Sequence, residues 1–319
     1  MKYIDLCAGT GAFSHVLHKK GFQCVFANDM DKSSKEMYTK NHQGHHFVLG
    51  NLNDIDVNTI PKHNLLCAGF PCQGFSIAGK REGFKDPRSN VFWKILEIIR
   101  HHNPSIVLLE NVKNLKTHDG GKTFDTISSS LSDLGYHMKW KVLDTAKITH
   151  VPHHRERIYI VAFRDTELYD RFQFHFDPVE NKPVSHFLEK NIPSKYYYTS
   201  RLRVFPVIQA SVTKPVHTTN AIYQYRRHYV RENKKNQCPT LTANMGGGGH
   251  NVPLILDTDG IRKLTPKECF NLQGFPADYM FPELSDTSLY KLAGNAVSVP
   301  VVELILDNII KSIDHDPVS

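Results

Sequence analysis

The chain of 319 residues carries 39 Lys plus Arg against 32 Asp plus Glu, a formal net charge of +7, and 40% of it is hydrophobic. That length suits one large domain or a large and a small one, with enough apolar content for a packed core. No run of eighteen apolar residues occurs, and MKYIDLCAGTG lacks the charged-then-apolar pattern of a leader, so neither a membrane span nor a secretory signal is expected and a cytoplasmic location is. The 6 cysteines, at 7, 24, 67, 72, 238 and 269, form no CxxC pair and no His-spaced set, which fits a reducing compartment and predicts no metal site.

Residues 2 to 6 read as a short strand that Gly9-Thr10-Gly11 turns into a helix with Phe13, Val16 and Leu17 on its apolar face; Gly21 ends it. Such glycines let a ligand approach the backbone, and the helix start offers free N–H groups, a pattern shared by many nucleotide-binding folds. The next strand, Cys24 to Ala27, ends in Asn28-Asp29-Met30-Asp31. A carboxylate about twenty residues after the glycine turn can accept from two ribose hydroxyls, which selects Asp29. Phe47 to Gly50 is a third strand. Leu65 to Ala68 reads as a buried parallel strand that Gly69, Phe70 and Pro71 stop just before Cys72. Free cysteine usually behaves as a small hydrophobe, the reading given to Cys24 and Cys67. A thiol at a strand end, in a turn stiffened by Pro71, is instead a plausible seat for a nucleophile.

Ser76 to Asn90 is polar and glycine-punctuated, with Lys80, Arg81, Lys85 and Arg88 nearly unopposed, and reads as a basic lid over a phosphate backbone. A helix from Asn90 to His102 buries Phe92, Ile95, Leu96 and Ile99; Pro104 breaks it and a strand from Ser105 to Leu109 delivers Glu110. Ligands of an open parallel sheet sit beyond the carboxyl ends of its strands, so Cys72 and Glu110 would face one pocket, although a glutamate there can also cap a helix. A helix with Phe124, Ile127, Leu131 and Leu134 precedes a two-strand pattern, Tyr136 to Leu143 and Arg157 to Phe163. Between them Arg155 and Arg157 can supply forked donors to a base carbonyl or a phosphate, with no indication of which does which.

From about residue 165 the strand-helix rhythm is lost, and Pro178, Pro183 and Pro193 mark a linker into a second unit. Between Lys195 and Arg262 there are ten basic residues against three acidic, interleaved with tyrosines at 196, 197, 198, 223, 225 and 229. A basic stretch can be a solvated face only, but the aromatic interleaving favours a nucleic-acid surface. Leu264 to Glu268 begins a helix that Gln273-Gly274-Phe275-Pro276 ends, and Gly294-Asn295 precedes a last apolar helix, Val297 to Ile310.

Phe70-Pro71-Cys72-Gln73-Gly74-Phe75-Ser76 resembles the Pro-Cys nucleophile motif of the DNA cytosine-C5 methyltransferases. Asp5-Leu6-Cys7-Ala8-Gly9-Thr10-Gly11 is similar to that family's cofactor loop, Glu110-Asn111-Val112 to its Glu-Asn-Val motif and Arg155-Glu156-Arg157 to its paired-arginine motif. Gln237 to Ala243 resembles the motif that organises its small domain, and Gly294-Asn295-Ala296-Val297 its closing motif. The matches keep the family's order and leave out only about residues 170 to 235. The resemblance implies an α/β fold, a Rossmann-like, doubly wound, mostly parallel sheet of the class I methyltransferase type, with a second, smaller target-recognition domain. Expected boundaries are 1–180 for the catalytic domain, 181–265 for target recognition and 266–319 for a hinge and a helix returning to the catalytic domain.

It further implies S-adenosylmethionine as methyl donor, held by Cys7, Ala8, Gly9, Thr10, Gly11, Asp29, Met30, Asn51, Leu52, Pro71, Val91, Asn295 and Ala296. Met30 stands against the adenine ring where an aromatic is common, Asn51 where an aspartate usually accepts from the adenine amino group, and His153 where glutamine is typical; an amide oxygen can still accept. Cys72 would attack carbon 6 of cytosine, Glu110 would donate a proton to ring nitrogen 3, Arg157 would hold the base carbonyl and Arg155 the same oxygen or the backbone. The substrate would be double-stranded DNA with the base flipped out, gripped by Ser76, Lys80, Arg81 and Arg88 and read by Gln224, Arg226 and Arg227. A metal-free monomer is expected, with a cognate restriction endonuclease as genetic partner. The same chemistry on tRNA, a catalytically silent DNA-binding relative and a dinucleotide-dependent oxidoreductase are the alternatives.

Overall fold

A computed structural model describes residues 1–71, 91–226, 228–246 and 251–314. In chain order its first elements are β1 (Lys2–Leu6), α1 (Ala12–Lys19), β2 (Gln23–Asp29), α2 (Lys32–Asn41), β3 (Phe47–Leu49), β4 (Leu65–Gly69), α3 (Val91–His102), β5 (Ile106–Val112), α4 (Lys122–Asp133) and β6 (His137–Asp144). A short helix, α5 (Thr145–Ile148), is followed by β7 (Glu156–Phe163) and α6 (Thr166–Arg171). The 7-stranded sheet runs in the order β3-β2-β1-β4-β5-β7-β6. β1 pairs in parallel with β2 and β4, β2 with β3 and β4 with β5, while β7 runs antiparallel to β5. This is the expected doubly wound α/β fold. The chain starts mid-sheet and winds outward on one side before returning to the other, which creates a switch point between β1 and β4 at the strands' carboxyl ends.

β4 and β5 read as unbroken apolar runs because both faces are covered: Leu65, Leu66, Cys67, Ala68, Val107, Leu108 and Leu109 are all at 0% exposure. Helix α3 adds Phe92, Ile95 and Ile99, one stripe at helical spacing, to the same core. β5 continues to Val112, past the Leu109 at which its apolar run stops. The antiparallel partner extends it, pairing Glu110 with Tyr159, Asn111 with Ile158 and Val112 with Arg157.

By their internal contacts the residues divide into two units, one of 1–143, 156–176 and 302–319, the other of 144–155 and 177–301. The second unit holds α7 (Phe205–Ser211), α8 (Val216–Thr219), β8 (Tyr223–Arg226), β9 (Tyr229–Glu232), β10 (Pro253–Asp257), β11 (Gly260–Lys263), α9 (Pro266–Asn271) and α10 (Asp286–Asn295). Its 4-stranded antiparallel sheet, in the order β11-β10-β8-β9, packs Tyr223, Tyr225, Leu254 and Ile261 against Ile208 and Val212. Arg262 and Glu268, both side chains at 0% exposure, meet in two bonds of 2.8 Å, and Glu268 also closes the capping box that starts α9 at Thr265. Removing Arg262 would strand the buried Glu268 charge, whereas Arg262 is also paired with Asp257 through Nε at 2.5 Å. The last helix, α11 (Val299–Ile313), joins the first unit from Val302 onward, where Glu303 pairs with Lys19 at 3.0 Å and Asp307 with Lys20. Among the described residues no helix is long and apolar enough to cross a membrane.

Candidate active site

The turn between β1 and α1 requires left-handed backbone at Cys7 (φ 52), Gly9 (φ 55) and Gly11 (φ 76). Gly11 is also a close approach, since a β-carbon there would collide with the His42 ring and with Tyr38. No side chain caps α1 and no acidic residue lies within its first turn; the Asp5 carboxylate, from β1, takes the Ser14 N–H there, beside the Ser14 hydroxyl. At the end of β2, Asp29 accepts from the Gly9 N–H through Oδ2 and from the Asp31 N–H through Oδ1, both at 2.8 Å. Burial raises its pKa, and those two N–H groups work against the rise. Met30 beside it is 71% exposed. Asn28 ties β2 to the β3 segment through Val48 O and Gly50 O, at 3.0 and 2.9 Å.

Two expected cofactor residues have local work. Asn51 Oδ1 accepts from the Asn53 N–H at 3.1 Å, capping a short turn, and the Leu52 side chain is buried in the core. Asp5 of β1 is fully buried, where Oδ2 accepts from the Ser14 hydroxyl at 2.7 Å and Oδ1 has no partner among the described residues. Burial pushes its pKa up to about 7. A carboxylate inside an apolar strand was the signal for it.

The β4–β5 register sets Gly69 beside Glu110, so the strand that leads into Pro71 ends next to the buried carboxyl of Glu110. Asn111 Nδ2 donates to Phe70 O at 2.9 Å and pins the residue before Pro71, a job sequence reading did not assign. Val112 lies opposite Arg157 across the β5–β7 pair, which makes Glu110 and Arg157 diagonal neighbours on one face. Arg157 Nε stands 3.3 Å from Glu110 Oε1. Cys72, Ser76, Lys80, Arg81, Arg88 and Arg227 lie outside the described residues. Each of the five described cysteines is held as a thiol: burial pushes Cys24 up to about 11 and Cys7, Cys67, Cys238 and Cys269 higher still.

Arg155 departs from expectation. It is 2% exposed, and its guanidinium donates to Leu241 O at 3.2 Å, Gly294 O at 3.3 Å and Ala296 O at 2.7 Å, all within the second unit. With those donors committed to backbone carbonyls, Arg155 acts as a brace between the 241 loop and the Gly294-Asn295-Ala296 turn instead of a clamp on a base or a phosphate. His153, at 0% exposure, holds the same loop by accepting from the Leu241 N–H at 3.2 Å through Nε2. Gly294 is required there because any side chain would strike the Thr242 backbone. Asn295 is exposed and Ala296 buried. On the β8–β9 hairpin, Gln224 is buried and Arg226 exposed, and both line a cavity of about 840 Å³ in the second unit.

The profile of the C-5 cytosine-specific DNA methylases matches residues 1–311. The chain belongs to that family. It is 43% identical over 317 residues, 98% of this chain and 99% of the other, to the type II methyltransferase M.Bsp6I of Bacillus sp. (strain RFL6). It is 37% identical over 306 residues, 95% and 90% of the two chains, to the type II methyltransferase M.NgoBI of Neisseria gonorrhoeae. A solved structure of a DNMT2 mutant from Spodoptera frugiperda superposes with a TM-score of 0.76 over 97% of this chain and 99% of that one; at 19% identity this shows a shared fold. As a C-5 cytosine-specific DNA methylase the chain is an enzyme, a methyltransferase of the DNA (cytosine-5-) class.

Proposed function

We propose that this methyltransferase moves a methyl group from S-adenosylmethionine to carbon 5 of a cytosine everted from a specific short sequence of double-stranded DNA, through a covalent bond between Cys72 and carbon 6. The observation that carries the reading is the Glu110–Arg157 pair, 3.3 Å apart, beside the end of the strand that runs into Pro71-Cys72. Carbon 5 of an aromatic cytosine is a poor nucleophile. Addition of the Cys72 thiolate to carbon 6 breaks the aromaticity, and the displaced electron pair makes carbon 5 enamine-like. Glu110, carrying a proton, donates it to ring nitrogen 3 and neutralises the charge that develops there. Arg157, on the same face, holds the ring carbonyl with its fork of donors. Loss of the carbon 5 proton after methylation expels the thiolate and restores the ring. A free thiol has a pKa of about 8.5, so the proposed reaction needs a site that favours the thiolate, and a guanidinium such as that of Arg157 would do so if brought near it.

The residues present fit the cofactor. The uncapped start of α1 and the close backbone of Gly9-Thr10-Gly11 suit a polar ligand, the Asp29 carboxylate suits two ribose hydroxyls, and the exposed Met30 offers uncovered apolar surface to a purine. Cys7, Ala8, Asn51, Leu52, Pro71, Val91, Asn295 and Ala296 complete the proposed set, and Arg155 contributes by bracing the Asn295 turn. When bound, the cofactor supplies an electrophilic methyl on a sulfonium.

Ser76, Lys80, Arg81 and Arg88 are proposed to contact the DNA backbone, and the second unit to act as the target-recognition domain through Gln224, Arg226 and Arg227. Both relatives above are named type II methyltransferases, which supports a cognate restriction endonuclease as genetic partner; a monomeric enzyme in the cytoplasm is part of the same proposal. The test is expression in a bacterium lacking cytosine methylation, followed by mapping of methylated cytosines across its genome. One short motif methylated at one position is expected. An unmethylated genome, together with labelling of tRNA alone by the purified protein, would overturn the reading.

A further inference from the structure

In β8, Tyr223 and Tyr225 turn into the small core, so strand alternation sends Gln224 and Arg226 to the opposite face. Across the pair, Arg231 lies opposite Gln224 and Tyr229 opposite Arg226, while Val230 packs toward the core. Gln224, Arg226 and Arg231 line the cavity of about 840 Å³ together with Lys147, Lys234 and Lys235. Those cations suit a polyanion.

Gln224 is of another kind. It is 3% exposed, and its Oε1 is buried with no hydrogen-bond partner among the described residues. Other amides of the same cavity are tied to the protein. Asn233 donates to Gln237 O at 2.9 Å, Gln237 donates to Asn181 Oδ1 at 3.0 Å, and Asn244 Oδ1 accepts from the Thr242 hydroxyl at 2.8 Å. A buried carbonyl without a donor is costly, and it becomes an asset when the ligand supplies the donor. A phosphodiester has acceptors only, so the DNA backbone cannot satisfy Gln224. At the base edges of the major groove the amino donors are adenine N6 and cytosine N4, whereas guanine and thymine present acceptors.

We propose that Gln224 is a specificity-determining residue that accepts a hydrogen bond from the exocyclic amino group of one adenine or cytosine in the target sequence, other than the methylated cytosine, while Arg226 and Arg231 beside it neutralise the flanking backbone. This deepens the DNA reading above and rests on it. A base without that amino group leaves the amide buried and unpaired, and so is rejected.

The experiment uses the full chain as wild type, Gln224→Leu and Gln224→Glu, each expressed in a bacterium lacking cytosine methylation, with methylated cytosines mapped genome-wide. The wild type should require adenine or cytosine at one further position. Gln224→Leu should relax that position alone, its discrimination falling about tenfold or more. Gln224→Glu, an acceptor without a donor, should retain a required cytosine or turn a required adenine toward cytosine. In vitro, a duplex lacking that one amino group, with purine for adenine or 2-pyrimidinone for cytosine, should lower kcat/KM of the wild type about tenfold and leave that of Gln224→Leu unchanged between the two duplexes. This comparison requires only that the wild type fold, because wild-type indifference to the deleted amino group overturns the inference by itself. Identical motifs in all three proteins also overturn it while the proposed function stands. A wild type that methylates no DNA overturns the function itself.

Discussion

In the first unit, polar side chains at the carboxyl ends of the strands are held by neighbouring protein groups: Asp29 by the Gly9 and Asp31 N–H groups, Glu110 by Arg157, and Asn111 by Phe70 O. On the outward face of the second unit's hairpin, cations stand on both strands around a glutamine whose buried carbonyl has no partner among the described residues. The contrast matches two tasks. Groups that act on reacting atoms gain by being fixed in place beforehand, because orientation is then settled before the substrate arrives. Groups that choose a sequence gain by being incomplete until the right partner completes them, because selectivity is a difference between two binding free energies.

The largest effect that would sharpen this comparison is expected from Cys72→Ser. Methyl transfer should fall by at least about a thousandfold while DNA binding and its sequence preference persist. A variant with ordinary turnover would remove the sulfur from the reaction. Glu110→Gln comes next, with kcat lowered by about 10²- to 10⁴-fold and cofactor KM little changed; an equal rise in KM would mean that Glu110 binds rather than reacts. Asp29→Asn should raise KM for S-adenosylmethionine about tenfold or more with a smaller change in kcat, as a charge-assisted acceptor is weakened. Arg155→Met should act through stability and not through a pH-dependent or base-specific defect. It should lose about 2 kcal/mol or more in urea unfolding, since three carbonyls lose a charged donor.

The last expected effect, on stability and not on turnover, concerns Asp5. Burial pushes its folded pKa up to about 7, above the 3.8 of a free aspartate, so between those values the folded state binds the extra proton and stability falls as pH rises. Below that window both states are protonated, and above it the buried charge costs its full amount. The melting temperature of the wild type relative to Asp5→Asn should therefore decline from about pH 4 to 7. A difference flat across that range would show that the Ser14 hydroxyl compensates for the burial.

Much of the first unit was legible because its pattern is local. Apolar runs covered on both faces, the 3- and 4-residue stripe of α3, and glycines at left-handed positions each leave a mark within a few residues. The hairpin sheet of the second unit left no such mark. Tyr223, Tyr225 and Val230 alternate with Gln224, Arg226 and Arg231, and so many charges hide a short half-buried strand. Leu52 was placed against the cofactor by resemblance, yet its apolar side chain finds the core. The reach of β5 to Val112 depends on the antiparallel partner β7.

Arg155 and Arg157 mark the boundary between the two kinds of information. The order of the chemistry-bearing residues, and the need for arginine at both positions, belong to the sequence itself. The two guanidiniums are chemically identical and two residues apart, so local pattern has nothing with which to separate their duties. Long-range partners do: Arg157 lies diagonal to Glu110 on paired strands, while Arg155 meets carbonyls 86, 139 and 141 residues away. Donors spent on buried carbonyls cannot also bind a substrate, and only the folded chain brings those carbonyls within reach.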